Sequence, residues 1–260
     1  MNFKKLIALL LCFAMLLPCL FACDDKDDKD DKDGSVEDVV NDAIDAMKKT
    51  PFRMTTYKKA QAEGYMETTR EEENVCYCDG NKYAYFQEGD TEPYMIYADG
   101  VIYDLTSKKK VVIDDATLAA LTEAYQGDMK DFLEGTKKYA NVEVTEDEDG
   151  NTVVLCTGLS EFGKTILGTA LVGFEIQGIY MEFDDESVYC KAVIGQDGLP
   201  TKQSSSASAH ATVAITGASA ISMSYVISTE FTYEYGDAYK VTVPADAAEY
   251  EEVSSIAELY

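Results

Sequence analysis

A strict alternation between residues 220 and 235 constrains the fold of this chain more than any other feature. Large apolar or aromatic side chains occupy the odd positions except Thr229, and most even positions carry small or polar ones. The odd apolar positions are Ile221, Met223, Tyr225, Ile227, Phe231, Tyr233 and Tyr235. Successive side chains of a β-strand point to opposite faces, so the pattern predicts one long strand with one buried face.

The expected partner of this strand is a second alternating stretch, residues 204–216. One of its faces is built largely from small residues, namely Ala207, Ala209, Ala211, Val213 and Ile215. Asp-Gly pairs that begin at Asp79, Asp99, Asp149 and Asp197 predict hairpin turns elsewhere in the chain. Large side chains beside a row of alanines leave volume, which either helices or a ligand must fill.

Three segments have helical spacing. Ser35 can cap a helix whose apolar stripe runs from Val36 to Met47 and which Pro51 ends. A second helix is expected from Asp115 to about Lys138, and a third, interrupted by glycines, from Ser160 to about Leu171. Helices that occur between runs of hairpins predict an α+β fold. We expect a curved antiparallel sheet, a half-open β-barrel, with helices covering its concave face.

Residues 1–22 have the pattern of an export signal. Lys4 and Lys5 precede an apolar run from Leu6 to Leu17, which is shorter than the roughly 20 residues that span a bilayer. The following residues, Leu-Phe-Ala-Cys at 20–23, resemble the lipobox of bacterial lipoproteins. That resemblance implies cleavage before Cys23 and attachment of a diacylglycerol to its thiol. Residues 23–34 then form a solvated Asp/Lys tether, and residues 35–260 form a single domain.

Charge narrows the choice of partners. Lys4 and Lys5 are two of 22 basic residues, so the cleaved chain has 20 basic against 48 acidic residues, a net charge of −28. Such a charge disfavours nucleic acid and anionic membrane surfaces as partners. The resemblance to the lipobox, and not the charge, implies that the protein lies on the extracytoplasmic face of the cell membrane, held there by its lipid anchor.

The order of elements also resembles a known group. The lipobox, the tether, the opening helix, the Tyr-x-Asp-Gly-x-x-Tyr hairpin at 97–103 and the Val-Pro-Ala-Asp-Ala run at 243–247 are similar to uncharacterised Gram-positive lipoproteins. Those are related to the lipoprotein-localisation carriers and to mycobacterial lipoproteins that carry glycolipids. The resemblance implies a half-barrel around an apolar cavity, with no catalytic residues.

The sequence contains few of the residues and motifs that common catalytic sites use. His210 is the only histidine, and its even position among alanines and serines predicts a solvent-facing strand residue. The sequence contains no nucleophile elbow, phosphate loop or dinucleotide loop. We expect no enzymatic activity, no cofactor and no histidine-based metal site.

Four cysteines remain beside Cys23 in the cleaved chain, and three interpretations stay open for them. Cys76, Cys78, Cys156 and Cys190 are small core residues, or disulfide partners in which Cys76 and Cys78 pair with Cys156 and Cys190, or ligands of a thiolate metal site. Cys76 and Cys78 lie two residues apart on one strand and project from the same face, so their Cα atoms are nearly 7 Å apart, at or beyond the limit for a mutual disulfide.

The leading functional hypothesis is a carrier that shields an acyl chain or another hydrophobic ligand. Its lining candidates on the long strand are Ile221, Met223, Tyr225, Ile227 and Phe231, and its covering candidates are Phe162, Ile166 and Leu167. The alternatives are an envelope interaction module with a filled core and a sensor subunit for a neighbouring transporter. The sequence does not name a ligand, an oligomeric state or a protein partner.

Overall fold

The computed structural model describes residues 36–64, 67–87, 89–114, 132, 135–165, 179–213 and 221–259. The signal segment, Cys23 and the tether lie outside these ranges. Most of the second and third predicted helices also lie outside them, apart from short helical pieces such as residues 161–165. Within the described ranges, no helix has both the length and the apolar character needed to cross a membrane.

The opening helix is confirmed. Helix α1, Val36–Met47, carries Glu37 and Asp38 in its first turn, where acidic side chains interact favourably with the positive end of the helix dipole. Its buried residues are Val40, Ala43 and Met47, which follow the predicted apolar stripe and pack into the main core.

Strands dominate the described chain and belong to one 13-stranded sheet. The four longest strands have 12 to 15 residues and lie side by side. The strands are β1 Phe52–Gly64, β2 Thr68–Asp79, β3 Lys82–Phe86, β4 Met95–Ala98, β5 Val101–Asp104, β6 Lys109–Val112, β7 Tyr139–Glu146, β8 Thr152–Leu159, β9 Ile179–Phe183, β10 Tyr189–Ile194, β11 Pro200–Val213, β12 Ile221–Tyr235 and β13 Glu251–Glu252.

The sheet order is β13-β6-β5-β4-β3-β2-β1-β12-β11-β10-β8-β7, with β9 also paired to β11. β12 lies between β1 and β11, so it joins the two halves of the chain. β11 pairs with β12 on one side, and on the other with β10 along its first half and β9 along its second. The predicted pairing of residues 204–216 with the long strand is confirmed over Lys202 to Val213.

The Asp-Gly turns are also confirmed. Ala98 pairs with Val101, so Asp99 and Gly100 alone make the loop between β4 and β5. Both residues have positive φ, 52° and 81°, as a type I′ turn requires. Asp79 ends β2 and pairs with Lys82, so Gly80 and Asn81 make the loop to β3. The pairs at 149–150 and 197–198 lie in the loops that connect β7 to β8 and β10 to β11.

The predicted fold class is wrong. The described chain is mostly β, with α1 as its one complete helix, and it is not an α+β fold whose concave face is covered by helices. Nor does the sheet close into a barrel, because its end strands β13 and β7 share no ladder in the part of the chain that the structure describes. Alternation predicts the strands correctly but does not determine whether the two ends of a sheet meet.

The C-terminal segment covers the edge strand at one end of the sheet. β13 pairs with β6 in parallel, whereas the other described ladders are antiparallel. Three consecutive lysines, which we call the lysine clasp, hold this segment. Lys108 Nζ lies 2.7 Å from Asp246 Oδ2, Lys109 Nζ donates to the Glu258 carbonyl over 2.6 Å, and Lys110 Nζ donates to the Ala248 carbonyl over 3.3 Å. The edge of β6 is therefore protected from pairing with another chain.

Four short 3-10 turns complete the described elements. They are Asp185–Ser187, Asp237–Tyr239, Ala247–Glu249 and Ile256–Glu258. The segment between the second and third turns packs Val241 and Val243 against the face of β2 to β5 opposite the main core. Both faces of β4 are consequently buried, whereas β11 and β12 bury one face each.

Candidate functional site: the inner face of the sheet

The inner face is the side of the sheet that carries the main core. Even positions of β1 and odd positions of β11 and β12 point to it, because these are the buried positions of the three strands. The register places Ala60, Ile227 and Ala207 in one row across β1, β12 and β11. The next row is Ala62, Tyr225 and Ala209.

A ridge of large side chains flanked by alanines results from this register. We call Met223, Tyr225 and Ile227 the ridge; each of them is at most 4% exposed. The flanking residues are Ala60, Ala62, Ala207, Ala209 and Ala211, and none is more than 8% exposed. An alanine fills little volume, so whatever encloses these rows comes close to the backbone of β1 and β11.

The centre of the ridge is strongly apolar. The Tyr225 hydroxyl donates to Met223 Sδ, a weak acceptor, over 3.3 Å. Burial raises the pKa of Tyr225 to about 12, because the phenolate is poorly solvated there. The environment therefore favours neutral, apolar groups.

The inner face changes character at its β2 side. Lys58, Arg70, Glu72 and Asn74 continue the alternation of the buried positions, yet all four are exposed. Glu72 accepts from Asn74 over 3.0 Å and lies 3.5 Å from the Arg70 guanidinium. We call these four residues the polar rim. The same face thus offers an apolar interior bordered by a solvated edge with charges of both signs.

The structure brings the predicted strand residues together on this face. Met223, Tyr225 and Ile227 are buried, while Ile221 and Phe231 are partly buried and pack against the same core. The structure does not place the three covering candidates over this face. Phe162 is 44% exposed, and Ile166 and Leu167 lie outside the described residues. The lining of a ligand cavity by these residues stays a prediction.

A buried polar cluster lies beside the ridge, where β7, β8, β10 and β11 meet. The Tyr139 hydroxyl is hydrogen-bonded to the Cys190 thiol, which also contacts the side chain of Gln203. Gln203 Oε1 in turn accepts from the Tyr233 hydroxyl over 3.4 Å. Burial raises the pKa of Tyr139 and of Cys190 and raises that of Cys156 to about 12. All three groups are therefore neutral at physiological pH.

The four cysteines are free thiols, and all of them are buried. Cys156 and Cys190 face each other across β8 and β10. Cys76 Sγ and Cys78 Sγ lie 3.8 Å apart on β2. The described residues contain no group of three or more His, Cys, Asp or Glu side chains that could hold a metal ion.

His210 faces solvent, as its even position predicts. Its Nδ1 lies 3.0 Å from the Ser224 hydroxyl on β12, and Glu182 stands opposite it on β9. These side chains lie on the outer face of the sheet, on the opposite side from the ridge.

Three buried residues of this region are not predicted by the sequence patterns. Gln203 lies on the alternation of β11, one position before the predicted strand start, so an earlier start would have placed it on the inner face. Tyr139 opens a strand where the chain was expected to leave a helix. Lys138 is 1% exposed although a lysine is rarely buried, and no sequence signal indicates it.

Comparisons with known proteins do not assign a family. No family profile matches the chain, and no curated protein matches it. Weak structural neighbours include an EndoMS complex with double-stranded DNA, which is 9% identical with a TM-score of 0.18, and the alignment covers 83% of this chain and 52% of that one. The chain thus spans about half the length of that neighbour.

Two further neighbours are a DUF1329 family protein from Desulfovibrio piger and a LolA superfamily protein from Nitrosomonas europaea. The first is 10% identical with a TM-score of 0.23, covering 86% of this chain and 99% of that one. The second is 10% identical with a TM-score of 0.19, covering 78% and 94%. No conclusion about fold or function rests on similarities this low. The resemblance to Gram-positive lipoproteins therefore stays a prediction.

Proposed function

We propose that this protein is a lipid-anchored extracytoplasmic lipoprotein whose inner sheet face binds a hydrophobic ligand with a polar end. The observation that carries the proposal is the ridge between two rows of alanines. An acyl chain is a narrow hydrocarbon, and its shape is complementary to rows of alanines beside a continuous apolar ridge. Each methylene removed from water contributes about 0.8 kcal/mol to binding.

The polar rim supports an amphiphile rather than a pure hydrocarbon. Lys58 and Arg70 offer cationic groups at the solvated border of the face, within a chain that is acidic overall. A headgroup placed there stays hydrated while its chain lies on the ridge. An anionic or zwitterionic headgroup fits this arrangement best, since it meets both cations without desolvation.

The anchor is the second part of the proposal and rests on the sequence alone. A diacylglycerol on Cys23 would keep the domain beside a membrane without inserting it, because two acyl chains hold far more firmly than one. Cells fed labelled palmitate test this part. The wild-type protein should be labelled and sediment with membranes, and Cys23→Ser should be unlabelled and soluble.

Ligand binding is tested on the full chain purified in mild detergent. Native mass spectrometry should show a bound lipid, and a dansyl-labelled fatty acid should gain fluorescence and be displaced by that lipid. Ala209→Phe should abolish both signals because the ring would fill the groove beside Tyr225. Ser206→Phe is the matched control, since it places the same ring on the outer face of β11.

Two outcomes would end the carrier proposal. One is a ligand-free mass together with no fatty-acid uptake by the wild-type protein. The other is equal loss of binding in Ala209→Phe and Ser206→Phe, which would mean that the inner face is not the site. The first outcome favours the alternative of an envelope interaction module, for which β7 offers a largely exposed strand at the end of the sheet.

A further inference from the structure

Cys156 and Cys190 have a backbone arrangement suited to a covalent link. They are directly opposite each other on β8 and β10. Two residues further along the same two strands, the N–H of Gly158 donates to the Val188 carbonyl over 2.9 Å. Hydrogen-bonded pairs recur at every second position, so the cysteines form such a pair, with Cα atoms about 5.5 Å apart. Disulfides accept Cα separations of about 4.4–6.8 Å.

The two thiols also lie on the same face of the sheet and are both buried in the main core. Their exposure is 0% for Cys156 and 1% for Cys190, and both belong to the main core. Adjacent residues of neighbouring strands on one face point their Cβ atoms in the same direction, so both thiols project from the inner face of the sheet. The Cβ atoms of a hydrogen-bonded pair are about 5.5 Å apart and a disulfide needs about 3.5–4.5 Å, so β8 and β10 approach locally by roughly 1 Å when the bond forms.

The other two cysteines cannot compete as partners. Cys76 and Cys78 lie on β2, which is four places from β10 in the sheet order. That separation is about 19 Å along the sheet, far beyond the reach of a disulfide. The sequence left pairing between the two sets of cysteines open. The sheet order places the two sets four strands apart, whereas Cys156 and Cys190 are direct neighbours across one ladder.

We propose that Cys156 and Cys190 form a disulfide when the chain meets a disulfide-bearing oxidant outside the cytoplasm. One cysteine thiolate attacks the oxidant's S–S bond, forming a mixed disulfide and releasing one thiol. The second cysteine thiolate then attacks the mixed disulfide and releases the other thiol. The two cysteines lose two protons and two electrons, and the oxidant is reduced to two thiols.

The timing follows from burial. A large oxidant cannot reach either sulfur in the folded protein, so exchange takes place before β8 and β10 pair or through their local opening. Once formed, the bond closes residues 157–189 into a loop and fixes the base of the segment that connects the two strands. The proposal rests on the proposed export for its oxidant, but the pairing itself rests on the register alone.

Peptide mapping gives a direct test. The full chain is refolded with oxidised glutathione, or exported by a bacterial host, then alkylated in denaturant and digested with trypsin without reduction. Cys156 falls in peptide 139–164 and Cys190 in peptide 165–191, while Cys76 and Cys78 share peptide 71–82. The expected product joins 139–164 to 165–191 and disappears on reduction.

Variants make the result specific. The double variant Cys76→Ser/Cys78→Ser should keep the linked peptide at the wild-type yield, whereas Cys156→Ser should lose it and leave Cys190 either alkylated or in a mixed disulfide with glutathione. Alkylated Cys156 and Cys190 in oxidised wild-type protein would overturn the proposal, and so would a link from either peptide to 71–82. Refolding in vitro needs neither the lipid anchor nor a ligand, so a failure here is distinguishable from a failure of the carrier function.

Discussion

Raising the pH from 8 to 10 should lower the free energy of unfolding of the reduced protein, and the part of this decrease that Cys156 and Cys190 cause can be calculated. Both thiols are neutral in the folded state, since burial raises their pKa from the ordinary 9.0, for Cys156 to about 12. A raised folded-state pKa gives stability that is fully present below the unfolded pKa and is lost as the pH rises. The loss therefore begins near pH 9.

The magnitude follows from the unfolded state. At pH 10 an unfolded thiol with the ordinary pKa of 9.0 is mostly ionised, while both folded thiols stay protonated. Each thiol then changes the folding equilibrium about tenfold, and the pair about a hundredfold, which is about 3 kcal/mol. This figure does not depend on how far above 10 the folded values lie.

Urea unfolding at pH 8, 9 and 10 under reducing conditions measures the effect. The matched control is Cys156→Ala/Cys190→Ala, which keeps the buried tyrosines and removes only the two thiols. The parent should lose about 3 kcal/mol more than the control between pH 8 and 10. Losses that agree within the uncertainty of the extrapolation, on the order of 0.5 kcal/mol, would refute the reasoning. Oxidised parent with the proposed disulfide should behave as the control does.

Three further perturbations test other parts of the structure. Ile227→Ala should cost about 2–5 kcal/mol in urea unfolding, because the side chain is 4% exposed; a negligible loss would mean that the ridge is not packed. Gly64→Ala should cost about 1–3 kcal/mol, since φ is +128° and the new Cβ would lie 2.8 Å from a backbone oxygen of β12. Gly80→Ala, with no atom within 4 Å, should cost less. The Lys108 ammonium holds the pKa of Asp246 below its ordinary 3.8, so their pairing is present above that pH and lost as the pH falls through the lowered value. The hydrogen-exchange protection of the C-terminal segment, relative to the intrinsic rate at each pH, should therefore fall in acid, and Lys108→Met should show the low protection already at neutral pH; equal protection in both proteins would show that the clasp does not hold the segment.

Local patterns were predictable because each is fixed by neighbouring residues. The stripe from Val36 to Met47 gives α1, and the alternation of 221–235 gives β12 and its buried face. An Asp-Gly pair prefers the positive φ angles of a tight hairpin, as Asp99 and Gly100 show. Spacing alone was enough in each case.

Long-range arrangement was not predictable in the same way. Nothing near Phe52 indicates that it pairs with Tyr235, because many registers would bury the same faces. The predicted half-barrel failed for this reason, since closure depends on which edges meet. The partner of Cys190 likewise became evident only from the register of β8 and β10. At the candidate site, the alternation predicted the ridge. It did not predict the polar rim, because the exposure of these residues depends on which neighbouring elements extend over them.

The ladder between β1 and β12 has a consequence for kinetics. Arg53 and Glu234 meet there although they are 181 positions apart. A chain that emerges with its N-terminus first holds β1 against β2 alone, with its other edge open, until the last quarter of the sequence arrives. Pairings this distant in sequence make folding slow, on the order of milliseconds to seconds. If the chain is exported as proposed above, it should stay unfolded enough to pass through a membrane channel and should complete the centre of its sheet only after passage.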